Sequence, residues 1–127
     1  MNRVSMSRSN FAANLLHPMD WKTLTSLQDW ENALEASHGA PIVVFKHSTR
    51  CSVSPMALKL TEQRWDLPSD VQPFLLDLLN FREVSQAIAT DLRVEHQSPQ
   101  LILVSGGKAL YHANHSAIDP EELKAYL

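Results

Sequence analysis

The chain has 127 residues, 44% of them hydrophobic, which suits one compact domain whose core needs no disulfide bonds. Its 11 basic and 14 acidic residues give a net charge of −3 and form no basic stripe, which argues against a nucleic-acid partner. No stretch approaches the roughly 20 apolar residues of a membrane span, and the N-terminus lacks the order of a secretory signal. We therefore expect a cytoplasmic protein, a monomer, with neither nucleic acid nor membrane as partner.

The N-terminal part of the chain divides into an arm and the start of a domain. Residues 1–20 are rich in Ser, Asn and Arg, which predicts a flexible arm, and residues 21–127 form the predicted domain. From Trp21 onward apolar residues recur at steps of three and four, which predicts an amphipathic helix. Thr25 or Ser26 is the expected N-cap of this helix.

The middle of the chain alternates predicted strands and helices. A short β-branched run over residues 41–45 predicts a buried strand, and residues 52–63 predict an amphipathic helix. Residues 73–77 predict a second buried strand. Residues 82–92 predict a further helix, with Asn80 as a plausible cap.

The C-terminal part predicts a hairpin and a last helix. Strands over residues 100–104 and 108–113 flank the pair Gly106-Gly107, which suits a tight turn. Residues 120–127 predict a helix capped by Asp119. Strand–helix–strand units followed by a hairpin predict an α/β class with a mixed central sheet and helices on both faces, the arrangement of the thioredoxin fold.

The only cysteine, Cys51, lies where the first buried strand has ended and a helix begins. Many free cysteines are inert core residues, but the neighbours of Cys51 are hydroxyl-bearing or cationic. The positive end of a helix dipole and the cation Arg50 both favour a reactive thiolate at this position. Because a lone cysteine forms no internal disulfide, the chain is either a one-thiol catalyst or not redox-active. The neighbours that set this environment are Ser48, Thr49, Arg50, Ser52 and Ser54.

Four separated blocks of the sequence resemble one known family, the YtxJ family of monothiol bacilliredoxins of the bacillithiol system. The resemblance runs from about Trp21 to the C-terminus. The four blocks are Phe45-Lys46-His47-Ser48-Thr49-Arg50-Cys51-Ser52-Val53-Ser54, Leu76-Asp77-Leu78-Leu79-Asn80-Phe81-Arg82-Glu83-Val84-Ser85, His96-Gln97-Ser98-Pro99-Gln100 and His112-Ala113-Asn114-His115-Ser116-Ala117-Ile118.

The resemblance implies a thioredoxin-fold thiol–disulfide oxidoreductase that removes bacillithiol from protein mixed disulfides, with Cys51 as nucleophile. No cofactor is expected to be bound; bacillithiol is a thiol co-substrate. The expected partners are bacillithiolated proteins and, as reductant, a low-molecular-weight thiol or a second redoxin. The family commonly has Cys-Pro-Ile-Ser, whereas Ser52 follows the cysteine here and retains a backbone N–H. Ser54 stands where two-cysteine redoxins carry a resolving thiol, so resolution must come from another molecule.

The resemblance also implies roles for residues outside the cysteine. Pro99 is expected to be a cis-proline opposite Cys51, with the backbone of Ser98 pairing with the substrate chain. Arg50, together with Thr49, is expected to contact a carboxylate of bacillithiol, since a guanidinium stays charged and binds carboxylates through two hydrogen bonds.

Other polar residues are weaker candidates. Ser54 could donate a hydrogen bond to the sulfur, although a serine at a helix start often only caps the helix. His47 could orient the thiolate, and Asp77 could aid proton transfer, although both also suit ordinary strand-end positions.

The spacing of His112 and His115, with His96 as a third candidate, is a weak metal signal, and we expect no metal site. Two rival functions stay open. One is a glutaredoxin-like iron–sulfur carrier, although such proteins carry Cys-Gly-Phe-Ser and this chain lacks both the Gly and the Phe. The other is a redox sensor or binding module whose cysteine is capped without turnover.

Overall fold

The computed structural model describes residues 19–127, so the predicted arm, apart from its last two residues, lies outside the described part of the chain. Within this described part, five strands, three α-helices and two short 3-10 helices follow one another. The strands are β1 (Lys22–Thr23), β2 (Ile42–His47), β3 (Gln72–Asp77), β4 (Gln100–Ser105) and β5 (Lys108–Asn114). The helices are α1 (Leu27–Ala36), α2 (Val53–Gln63) and α3 (Arg82–Leu92), and the 3-10 helices are His115–Ala117 and Pro120–Tyr126.

The strands form one mixed sheet in the order β1-β3-β2-β4-β5. β1 and β3 run parallel, as do β3 and β2, whereas β4 is antiparallel to β2 and β5 is antiparallel to β4. β2 therefore lies at the centre of the sheet, and the turn that follows it emerges between β3 and β4. This position places Cys51 at the carboxyl end of the central strand.

Helices cover both faces of the sheet, as predicted, and each face has its own core. On one face α1 and α3 bury Trp30 and Ile88 against Val44 of β2. On the other face α2 and the C-terminal turns bury Ala57 and Leu123 against the sheet. Since side chains of a strand alternate between faces, the last two residues of β2 face different cores. Lys46 faces the core under α1 and α3, and His47 faces the core under α2.

The predicted strands and helices of the middle and end of the chain are confirmed, with small shifts at their ends. The helical spacing of apolar residues begins at Trp21, but the first helix begins only after the predicted cap at Ser26. Lys22 and Thr23 pair instead with Phe74 and Leu75 as an edge strand, and the helix begins only at Leu27. Backbone pairing with β3 thus overrides the helical spacing of the apolar residues.

The capping predictions have mixed outcomes. Ser26 caps α1 by accepting a hydrogen bond from the Asp29 N–H, and Asp119 accepts one from the Glu121 N–H at the start of the last turn. Asn80 does not cap α3. Its side chain donates to the Asp77 carboxylate at 2.7 Å, which leaves Phe81 at the cap position.

The hairpin turn contains the two glycines, as predicted. Gly106 and Gly107 have φ angles of 60° and 77°, a left-handed region that glycine adopts without steric cost. Both of their N–H groups donate to Ser37 at the end of α1, one to its carbonyl and one to its hydroxyl. Within residues 19–127, no helix has the length and apolar character needed to cross a membrane.

Candidate active site

Cys51 lies in a tight turn between β2 and α2. Its N–H donates to the Ser48 carbonyl at 3.3 Å, and its own carbonyl accepts from the Ser54 N–H at 3.1 Å. α2 begins two residues later at Val53, so the thiol stands just before the helix N-terminus, as the sequence predicts. The thiol is free and the residue is partly exposed, which leaves the sulfur accessible to another molecule.

The sulfur faces the segment before β4. Cys51 Sγ lies 3.8 Å from the carbonyl oxygen of Ser98, and the Ser98-Pro99 peptide bond is cis, as predicted. The carbonyl of Pro99 accepts a hydrogen bond of 2.9 Å from the His115 N–H, which ties the same segment to the end of β5. Two non-adjacent parts of the sequence thus meet at the thiol.

Ser54 organises the turn from inside. Its hydroxyl is fully buried, accepts from the Ser48 N–H at 3.1 Å, and lies 2.7 Å from His47 Nδ1. The hydroxyl contacts the histidine and the backbone rather than the sulfur, so the expected hydrogen bond from Ser54 to Cys51 is not formed. Ser54 fixes the shape of the turn that presents Cys51.

His47 is the ionisable group beneath this turn. Burial lowers the pKa of His47, and the negative charges of Asp77 and Glu62 oppose that shift without cancelling it. A neutral imidazole can accept a hydrogen bond from the Ser54 hydroxyl at Nδ1, which agrees with the short contact between the two side chains. His47 therefore supports the turn through Ser54 and makes no contact with the sulfur.

Asp77 is the strand residue beside His47 in the sheet register. One of its carboxylate oxygens accepts from Asn80, and the other is buried without a hydrogen-bond partner. This carboxylate contributes negative charge to the surroundings of His47, but no hydrogen bond joins it to the cysteine turn.

The remaining residues expected at the site lie on its outer surface. Thr49, Arg50 and Ser52 are exposed. The backbone N–H of Arg50 donates to the Ser48 hydroxyl at 3.2 Å, and within residues 19–127 its guanidinium forms no ion pair. The guanidinium beside Cys51 is therefore available to an anionic group from outside.

A largely apolar groove of about 780 Å³ begins beside Cys51 and runs between α2 and the 115–118 turn. Met56 is 75% exposed on its wall, an unusual exposure for a large apolar side chain. The two ionisable side chains that line the groove, Lys59 and His115, are both basic types. The lining residues are Ser52, Val53, Met56, Ala57, Lys59, Leu60, Gln63, His115, Ser116 and Ile118.

Two buried polar side chains near the site, Lys46 and Gln100, have no role in the sequence-based prediction. Both are fully buried, and they face each other across β2 and β4 on the α1/α3 side. The alternation of residues along Ile42–His47 indicates that Lys46 is buried, because Ile42 and Val44 point to the same face. The predicted strand ends at residue 45, one residue before Lys46, and so does not include the lysine.

No metal centre is formed by the histidines that the sequence singled out. Across the described range, 19–127, no cluster of three or more His, Cys, Asp or Glu side chains is placed to hold a metal ion. His96 instead contacts Lys46 and Ser85, and His115 lines the groove.

Comparison with known proteins gives one family and many structural relatives. The sequence profile of the family described as "Monothiol bacilliredoxin BrxC" matches residues 22–123. A solved structure described as a candidate oxidoreductase with a thioredoxin fold is 26% identical, with a TM-score of 0.67 over 82% of this chain and 90% of that chain. Thioredoxin from Trypanosoma brucei brucei is 21% identical, with a TM-score of 0.64 over 84% of this chain and 86% of that one. The Malassezia sympodialis thioredoxin Mala s 13 is 16% identical, with a TM-score of 0.65 over 84% and 87% of the two chains. These matches confirm the thioredoxin fold.

Proposed function

Because the chain belongs to the monothiol bacilliredoxin family of thioredoxin-fold oxidoreductases, we propose that it removes bacillithiol from protein mixed disulfides through Cys51. One structural observation supports the proposal. Cys51 is a free, partly exposed thiol that faces the Ser98 carbonyl, whereas the residue one helical turn away, Ser54, is a buried hydroxyl. The site therefore supports thiol exchange with a single protein sulfur.

The proposed reaction has two exchange steps. The Cys51 thiolate attacks the bacillithiol sulfur of the protein adduct, a new disulfide joins Cys51 to bacillithiol, and the client sulfur leaves as a thiolate that takes up a proton. A second thiolate, from a small molecule or another redoxin, then attacks the bacillithiol sulfur of this disulfide. Cys51 leaves as a thiolate, and bacillithiol departs in a new disulfide with the second thiol.

The surroundings of the sulfur suit a polypeptide as client. The partly exposed thiol and the open groove along α2 leave room for a polypeptide beside the disulfide. The Ser98 carbonyl, which accepts from Cys51 in the free protein, offers a backbone acceptor once the thiol has reacted. In this proposal the exposed guanidinium of Arg50 pairs with a carboxylate of the small thiol, since guanidinium favours bidentate pairing with carboxylates.

Transfer of the small thiol tests the proposal directly. Reduced protein is mixed with a model client that carries a bacillithiol mixed disulfide, and intact mass is recorded for both proteins; a glutathione mixed disulfide of the same client runs in parallel. We expect bacillithiol to appear on the wild type and the client to return to its free thiol. We also expect Cys51→Ala to remain unmodified.

The role of Arg50 is tested in the same assay. Arg50→Gln removes the charge from an exposed side chain and should slow the transfer of bacillithiol to Cys51, with Lys59→Gln as the control on a cation of the groove. Equal transfer of both thiols to wild type, at the rate of an unstructured cysteine peptide, would contradict the proposal and favour a sensor or binding module.

A further inference from the structure

Lys46 is a buried lysine without a buried counter-charge. The residue has no exposed surface, and no carboxylate in the described part of the chain lies within ion-pair distance of its Nζ. Nζ donates to the Ser85 carbonyl of α3 at 3.2 Å and lies 3.2 Å from His96 Nδ1. An amine buried in this way costs free energy unless it is hydrogen-bonded, so these two contacts are what make its position tolerable.

Gln100 repeats the pattern from the neighbouring strand. It pairs with Lys46 in the β2–β4 register and is also fully buried. Its Nε2 donates to the Glu95 carbonyl at 3.0 Å and to Asn114 Oδ1 at 2.9 Å. Two adjacent buried side chains therefore hold two adjacent residues, Glu95 and His96.

Residues 95–99 connect these contacts to the thiol. The segment has no regular secondary structure between the end of α3 and the start of β4. At its far end the Ser98 carbonyl accepts from Cys51, and the Pro99 carbonyl accepts from His115. Apart from these bonds at Ser98 and Pro99, the hydrogen bonds that hold the segment come from side chains, those of Lys46, Ser85 and Gln100.

We propose that Lys46 and Gln100 are positioning residues, which hold residues 95–99 through His96 and the Glu95 carbonyl so that the Ser98 carbonyl faces the sulfur. Neither residue touches the sulfur, and they act through the segment. The inference rests on the proposed thiol exchange for its kinetic consequence, but the positioning itself is a property of the free protein.

The contact between Lys46 and His96 has a defined polarity. Burial lowers the pKa of Lys46 to about 8, so the amine is mainly protonated at neutral pH and has only protons to donate. His96 Nδ1 is then the acceptor, and the imidazole proton lies on Nε2. An asparagine side chain can place its amide oxygen near the position of Nδ1, whereas glutamine reaches toward Nε2 instead.

A histidine series separates positioning from general damage. His96 is exposed, so replacing it leaves the core intact. With a peptide mixed disulfide as substrate, we expect His96→Ala to raise KM about threefold to tenfold, the range of one net hydrogen bond, with kcat changed much less. His96→Asn should restore KM, and His96→Gln should behave like alanine.

Lys46→Met completes a double-mutant cycle. This variant removes the donor and should raise KM as His96→Ala does. Since each change breaks the contact between Lys46 and His96, the double variant should raise KM by less than the product of the two single effects. Additive effects, or equal KM values for the alanine and asparagine variants, would overturn the inference.

A second readout is independent of turnover. Hydrogen exchange of the His115 amide, which donates to Pro99, should speed up about tenfold in His96→Ala and Lys46→Met but not in His96→Asn. If the wild type turned over no mixed disulfide, the proposed function would fail while this measurement still decided the positioning. Unchanged exchange in all variants would overturn the positioning whatever the activity.

Discussion

Lys46 and His47 are consecutive residues of the central strand, yet they support opposite sides of the same thiol. Lys46 faces α1 and α3 and contacts His96 from a fully buried position. His47 faces α2, is only partly buried, and contacts Ser54. One side chain supports the segment that carries Ser98, and the other supports the turn that carries Cys51.

The difference between these two sides shows how a sheet can hold a reactive group at its edge. On the α2 side, short hydrogen bonds among His47, Ser54 and Ser48 set the turn close to the sulfur. On the α1/α3 side the contacts lie further along the chain from the sulfur and begin at a fully buried, ionisable amine. We therefore expect the two sides to respond differently to pH and to substitution.

The largest expected effect is the pH dependence caused by Lys46. Because burial lowers its pKa from 10.5 to about 8, the unfolded chain binds a proton between these values that the folded protein has released. Stability should therefore rise with pH across this window, by up to about 3 kcal/mol relative to Lys46→Met. Urea unfolding at pH 7, 9 and 10 measures the difference.

Lys108→Met, a change at an exposed lysine of β5, is the control for this series. Its unfolding free energy should change with pH by the same amount as that of the wild type over the same range. If the unfolding free energy of Lys46→Met also changed with pH as the wild type does, the pKa of Lys46 would not be lowered. The contrast between the two faces of the sheet would then be wrong.

A smaller effect is expected on the α2 side. Ser54→Ala leaves the Ser48 N–H without its acceptor in a buried position, which should cost about 1–3 kcal/mol in unfolding free energy. Ser116→Ala, at an exposed serine, should change stability by less than about 0.5 kcal/mol. A neutral Ser54→Ala variant would show that the hydroxyl does not hold the turn.

The smallest effect concerns the residue after the cysteine. Ser52 has a φ angle of −64°, a value that proline adopts, and its N–H donates to no backbone carbonyl of the described residues. Ser52→Pro should therefore fold, and its free energy of unfolding should rise by about 0.4–1 kcal/mol because proline restricts the unfolded chain. A loss of stability in thermal or urea unfolding would show that the turn requires the serine backbone.

Local patterns were sufficient to predict most of the fold. The β-branched run before Cys51, the glycine pair of the hairpin and the periodic helices each specify their own element. The edge strand at Lys22 was missed because its two residues carry no strand pattern and are ordered by pairing with Phe74 and Leu75. Asn80 was assigned to a cap because its preference for caps does not reveal that Asp77 competes for its side chain.

The candidate site was predictable in its chemistry and less so in its supports. The position of Cys51, its proximity to Ser98 and the cis bond at Pro99 follow from the motif and the resemblance to a family. The partners of Ser54 and Lys46 depend on which side chains the fold brings beneath the turn. Such contacts join residues as far apart as Lys46 and His96, and no local pattern specifies them.

The most direct test of the central claim follows the fate of the adduct in a single turnover. Wild type is mixed with an equimolar bacillithiolated client in the absence of other thiols, and the masses of both proteins are followed over time. We predict that bacillithiol passes from the client to Cys51 until the exchange reaches equilibrium, and that it leaves the two proteins only when a second thiol is added. Ser54→Cys, with a thiol at the resolving position, should instead release bacillithiol unaided and form an internal disulfide. Loss of bacillithiol from both proteins without an added thiol, or no transfer to Cys51 at all, would contradict the account.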